Sequence, residues 1–156
     1  MTYVRPHLEY AITSWNPWTV QDKEQLEKVQ IRALKMCTNL KAKTYSEKLK
    51  EAGIDSLEER RTKFDLTQVW KILHKFDRVD ESVWFEKVQE TSERTTRLSS
   101  SPWNICLKDC KTDQRKNFFS NRVVKDWNNL PEEIKSCEKI GTFKSKLKAL
   151  FVRRTP

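Results

Sequence analysis

FFSNRVVKDWNNLPEEI, residues 118–134, decides how this chain is read. Phe119, Val123 and Trp127 recur every four residues, which brings them onto one face of a 3.6-residue helix. Val124 widens that face, while Arg115, Arg122 and Lys125 point to other sides. Asn128 and Asn129 extend a helix poorly, and Pro131 biases Leu130 away from helical backbone angles. The spacing predicts an amphipathic helix that stops beside the indole of Trp127 and turns at Leu130-Pro131. Trp127 is expected to plug a core.

Beyond this stretch, Thr142 is the expected cap of a last helix in which Phe143, Leu147, Leu150 and Phe151 form a narrow stripe. Lys144, Lys146 and Lys148 flank that stripe, and Arg153-Arg154 end it. The helix dipole accounts for terminal arginines better than for three lysines. The basic flank is therefore read either as a solvated face or as a polyanion-binding one.

Towards the N-terminus, Leu8, Ala11, Ile12 and Trp15 make one apolar stripe that Asn16-Pro17 stops. Asp22 is the expected N-cap of a helix to about Leu40. Leu26, Val29, Ala33, Met36 and Leu40 share its main face, and Ile31 and Leu34 lie opposite. Thr44-x-x-Glu47 and Ser56-x-x-Glu59 are capping boxes. The first opens a short helix ended by Gly53, and the second opens the longest helix. Leu66, Val69, Ile72, Leu73 and Phe76 are that helix's stripe, with Leu57 and Phe64 off it, and Arg60-Arg61 beside Glu58-Glu59 suggest a solvated, salt-bridged surface. A small helical turn is expected over residues 82–88.

Residues 89–101, QETSERTTRLSSS, lose apolar character and read as a polar loop. Arg94 and Arg97 stand in it among hydroxyl side chains, a combination suited to phosphate oxygens. After Pro102, Trp103 to Leu107 is expected to be extended. The division expected is residues 1–88, helical; 89–112, a polar connector; and 113–156, a helical tail packing on the first part.

The chain has 156 residues, room for one ordinary domain. Only two glycines and five prolines favour helices over strands. The fold class expected is mostly α: an irregular multi-helix bundle with one long central helix and little or no β. With Lys+Arg 31 against Asp+Glu 22, the formal net charge of +9 favours polyanionic partners, RNA or DNA held mainly through phosphates. No apolar run reaches membrane-spanning length, and no signal-peptide segment opens the chain. Cys37, Cys106, Cys110 and Cys137 are expected to be reduced thiols, which places the protein in the nucleus or cytoplasm.

Enzyme chemistry finds no support in the pattern. Gly53 and Gly141 cannot build a glycine-rich phosphate loop. Cys106-x-x-x-Cys110 lacks a second ligand pair, and His7 and His74 are remote from each other, so neither a metal nor a cofactor is expected.

In order along the chain stand YVRPHLEYA with WNP, LEKVQIRALK, SLEERRTKFDL with VWKI, FSNRVVKDWNNLPEEI and FKSKLKAL. Together they resemble the region after the polymerase core in reverse transcriptases of non-LTR retrotransposons, closest to jockey-like and chicken-repeat-like long interspersed elements. The resemblance covers nearly the whole chain. It implies that the first residues correspond to the end of a thumb-like region and the rest to a C-terminal tail. The family's catalytic aspartates lie upstream of the matching part, so RNA-directed DNA polymerase activity does not carry over to these residues. Thr96-Arg97 fits the family's variable basic segment, and no cysteine–histidine knuckle is matched.

Two roles follow as expectations. One is a non-catalytic fragment that binds nucleic acid and supports the missing polymerase core. Its candidate contacts are Arg94, Arg97, Arg115, Arg122, Lys125, Lys144, Lys146, Lys148, Arg153 and Arg154. Its candidate structural residues are Trp15, Phe119, Val123, Trp127, Leu130, Pro131, Phe143 and Leu147. The other is a relic or domesticated helical interaction protein, self-associating through apolar surface such as that beside Ile31 and Leu34.

Overall fold

A computed structural model of the chain describes residues 4–36, 43–88 and 101–154. Among the described residues the fold is all helical, with ten helices and no strand. They are α1 (Val4–Glu9), α2 (Ile12–Trp15), α3 (Val20–Lys35), α4 (Tyr45–Ala52), α5 (Leu57–Leu73), α6 (Glu81–Trp84), α7 (Asp113–Lys116), α8 (Phe119–Asn128), α9 (Glu132–Lys135) and α10 (Ile140–Arg154). Contacts divide the chain into two compact units, Met1–Thr62 and Lys63–Pro156, and the division falls inside α5. Residues 63–88, grouped by their sequence with the N-terminal helices, thus share a unit with the C-terminal ones. No described helix is long and apolar enough to cross a membrane.

In the first unit, the expected N-terminal helix is broken at Ala11, whose backbone is left-handed at φ 50°. That conformation costs an L-residue roughly 1–2 kcal/mol, and it turns the stripe. Leu8 and Ile12 are buried, but Ala11 is exposed and Trp15 is 40% exposed, its indole N–H donating to the Tyr10 carbonyl. Helix α3 is capped by Thr19 rather than Asp22. The Thr19 hydroxyl accepts from the Asp22 backbone N–H at 3.1 Å and donates to the Asp22 carboxylate at 2.6 Å.

The buried face of α3 is also the one its apolar count ranked second. Leu34 and Gln30 are each 1% exposed, whereas Val29 is 40% and Met36 83% exposed. The cause is polar. The Gln30 amide donates to the Tyr45 hydroxyl (3.1 Å) and the Asp55 carbonyl (3.2 Å). One turn earlier, the Glu27 carboxylate accepts the Leu57 backbone N–H at 3.2 Å. Glu27, Gln30 and Leu34 lie on one helical face, so capping α5 draws that face inward. Thr44-Glu47 forms the expected reciprocal box, and Gly53 closes α4 at φ 62°. Ser56 accepts the Glu59 N–H at 3.3 Å.

The second unit is built on α8. Its buried side chains include Phe119, Val123, Val124 and Trp127, as the period predicts. They meet Leu66, Val69, Trp70, Ile72 and Leu73 of α5, and Phe143 and Leu147 of α10, in one core that also takes in Leu130 and Ile134. Phe76 leaves the α5 stripe and is 60% exposed, because the helix ends at Leu73 and Lys75 adopts φ 55°. Helix α10 begins at Ile140, two residues before the expected cap Thr142, with the Phe143 N–H donating to the Lys139 carbonyl. Pro131 stands at the N-cap of α9, and its carbonyl accepts the Ile134 N–H at 3.0 Å.

Side chains of α8 and α9 hold segment 101–107, which turns at Pro102-Trp103, rather than extending from Trp103, and then makes a single antiparallel bridge, Lys87 to Ile105. Asn128 takes the place of a neighbouring strand. Its amide oxygen accepts the Ile105 N–H (3.1 Å) and its amide N–H donates to the Ile105 carbonyl (2.9 Å). Trp127 Nε1 donates to the Trp103 carbonyl at 2.7 Å. Lys135, 2% exposed, donates to Asn104 Oδ1 (2.7 Å) and the Asn128 carbonyl (2.9 Å). His74 stacks between Trp70 (4.5 Å) and Trp103 (4.2 Å), with Nε2 2.8 Å from the Lys135 carbonyl.

Burial holds the His74 pKa below the usual histidine value, partly opposed by the Lys135 carbonyl. The unfolded chain therefore binds a proton here at a pH where the folded chain does not. Stability contributed by neutral His74 is intact above the unfolded pKa, about 6.5, and is lost as pH falls from there towards the lower folded value. The melting temperature should fall between about pH 7 and pH 5, and His74→Phe should flatten that fall. An unchanged slope in the variant would remove His74 as its cause.

Candidate nucleic-acid interface

The basic residues expected to bind phosphate divide into engaged and open groups. Arg122 is engaged. Its Nε and Nη2 donate to the two Asp65 carboxylate oxygens at 2.9 Å each, and Nη1 donates to the Asn117 carbonyl at 3.3 Å. Both side chains are largely buried, so this guanidinium is a strut of the fold rather than a free phosphate donor. Lys146 extends over α9 to the Glu133 carbonyl at 3.0 Å.

Lys125 is exposed on α8. Lys144 and Lys148, four residues apart, are exposed on one edge of α10, while Lys146 falls on the other. Arg153 and Arg154 belong to the last turn of α10. Their side chains, like the segment carrying Arg94 and Arg97, lie outside the described residues.

Arg115 has the most distinctive surroundings. Thr112 caps α7 by accepting the Arg115 N–H, and Asn117 closes it, so the chain turns before α8. The turn leaves Phe118 at the N-cap of α8, 38% exposed. The Arg115 guanidinium carbon lies 5.4 Å from the Phe118 ring centroid. Phe118 in turn stacks on the half-buried Trp84, with centroids 6.3 Å apart and planes 9° from parallel. Trp84 is anchored edge-on against buried Phe119 at 6.0 Å. The result is a row of stacked groups, anchored to the core through Trp84 and ended by the exposed Arg115 guanidinium.

Of the acidic side chains near this stack, Glu81 pairs with Lys87 (3.0 Å) and Glu86 with Lys108 (2.6 Å), while Asp109 and Asp113 are exposed on the segment of Arg115. Lys111 and Lys116 add exposed positive charge on the same segment as Arg115. Sequence periodicity singled out Arg115 but not Phe118 or Trp84. The signal was present in the pair Phe118-Phe119, since only one of two adjacent aromatics can enter a helix's buried face.

Among the described residues, no group of three or more His, Cys, Asp or Glu side chains could hold a metal ion, and Cys106, Cys110 and Cys137 are free thiols. No protein-family model, curated protein or solved structure matches the chain.

Proposed function

We propose that this chain is the non-catalytic C-terminal region of a non-LTR retrotransposon reverse transcriptase, and that it holds single-stranded nucleic acid for the polymerase core. The ordered words from YVRPHLEYA to FKSKLKAL support the origin. The observation that carries the binding role is the Arg115–Phe118–Trp84 stack. Aromatic and guanidinium planes stack on unpaired bases without regard to sequence, and nearby lysines take the phosphates. A net charge of +9 raises the local concentration of such a ligand.

Fluorescence polarisation with labelled single-stranded RNA tests this. Affinity should fall steeply with salt as counterions are released. Base stacking is worth about 1–3 kcal/mol per base, so Phe118→Ala should weaken binding roughly fivefold to a hundredfold. Arg115→Ala should weaken it and also flatten the salt dependence. No binding at low salt, or an unchanged affinity in Phe118→Ala, would refute the proposal.

A further inference from the structure

A cavity of about 410 Å³ opens between α3, α4 and the first turn of α5, inside the first unit and independent of the nucleic-acid reading. Arg61 lies at its inner side, 2% exposed. Its three guanidinium nitrogens are buried and have no hydrogen-bond partner. An arginine cannot shed its proton to escape this, and its planar fork of donors matches a carboxylate. Something with acceptor oxygens belongs there.

The Glu27 and Glu58 carboxylates lie in the field of Arg61 without bonding it, and their oxygens already have other partners. Glu27 accepts the Tyr45 hydroxyl and the Leu57 N–H. Glu58 pairs with Lys23 at 2.7 Å. Glu24, exposed on the lining, has no hydrogen bond or ion pair among the described residues. What remains is one guanidinium within, one carboxylate without, and the apolar surfaces of Val20 and Tyr45 beside them.

That remainder is the complement of a small zwitterion. Three carboxylates against two cations make the cavity unsuited to a phosphate chain. We propose that it binds a free α-amino acid with an aliphatic side chain, Arg61 taking the carboxylate and Glu24 the ammonium. Entry parts the Lys23–Glu58 pair, which is exposed and therefore weakly held. The carboxylate then meets Arg61 out of water, where charge-assisted bonds are strong.

Calorimetric titration of the full chain with L-leucine, 4-methylpentanoate and inorganic phosphate is the test. Leucine should bind saturably at millimolar concentration, more tightly than 4-methylpentanoate, which lacks the ammonium. Glu24→Gln should erase that difference, weakening leucine roughly tenfold. Arg61→Met should abolish binding of both carboxylates while circular dichroism keeps its helical signal. If Arg61→Met does not fold, Glu24→Gln decides alone, because that side chain is exposed. Absence of saturable leucine binding, phosphate binding in its place, or unchanged leucine affinity in Glu24→Gln overturns the proposal.

Discussion

Trp127→Ala is expected to bring the second unit to the edge of unfolding. The indole is fully buried, 6.2 Å from the Phe143 ring, and Nε1 donates to the Trp103 carbonyl at 2.7 Å. Truncating a core tryptophan to alanine costs about 3–5 kcal/mol in transfer energy and cavity. Leaving the Trp103 carbonyl without its donor adds roughly 1–3 kcal/mol. Against the 5–15 kcal/mol typical of a whole domain, the sum leaves little. Trp127→Phe separates the two contributions, since it keeps much of the ring but loses the N–H. Urea unfolding followed by circular dichroism should rank parent, Trp127→Phe and Trp127→Ala in that order. A Trp127→Ala midpoint near the parent's would show that α8 does not organise the core.

The four-residue recurrence that places Trp127 was legible because the apolar side chains of α8 all turn inward. Several misread positions are ones where a polar side chain is inside. Arg60 and Arg61 sit among acids and so read as surface, yet they are 8% and 2% exposed. Arg60 pairs with Glu9 from α1, a partner distant in sequence. Glu27 and Gln30 reversed the expected face of α3 in the same way, by capping α5 and bonding the Asp55 carbonyl. Periodicity weighs only apolar residues, so it is blind to a face drawn inward by hydrogen bonds.

Segment 101–107 shows the same limit. Asn128 reads as a helix stop, yet it is half-buried and bonds the Ile105 backbone, while Lys135, which no periodicity singles out, is buried against Asn104. Local signals fared according to how local their physics was. The Thr44 capping box joins residues three apart and forms as expected. The cap at Asp22 failed because Thr19, three residues earlier, offered a β-region backbone and a hydroxyl to the same turn.

Arg122 carries this lesson into a measurement. Its charge contributes to the net +9 that suggests nucleic acid, but a two-point bond to Asp65 engages it. Asp65 is 5% exposed and Arg122 also lies 5.8 Å from the Phe119 ring centroid. Removing one member of such a pair strands the other's charge out of water. Asp65→Ala and Arg122→Met should each destabilise by about 3–5 kcal/mol.

The double variant should lose less than the two single losses added together, with a coupling energy of about 0.5–3 kcal/mol in a double-mutant cycle. Stability and binding then part company. In conditions where it is folded, the double variant should bind single-stranded RNA close to the parent's affinity, whereas Arg115→Ala should not. A double variant as impaired as Arg115→Ala would place Arg122 on the nucleic acid and make its pairing with Asp65 incidental. The chemistry favours the first outcome. A guanidinium already giving both edges of its fork to a buried carboxylate must break those bonds before it can hold a phosphate, and a solvated phosphate offers no better pair in return.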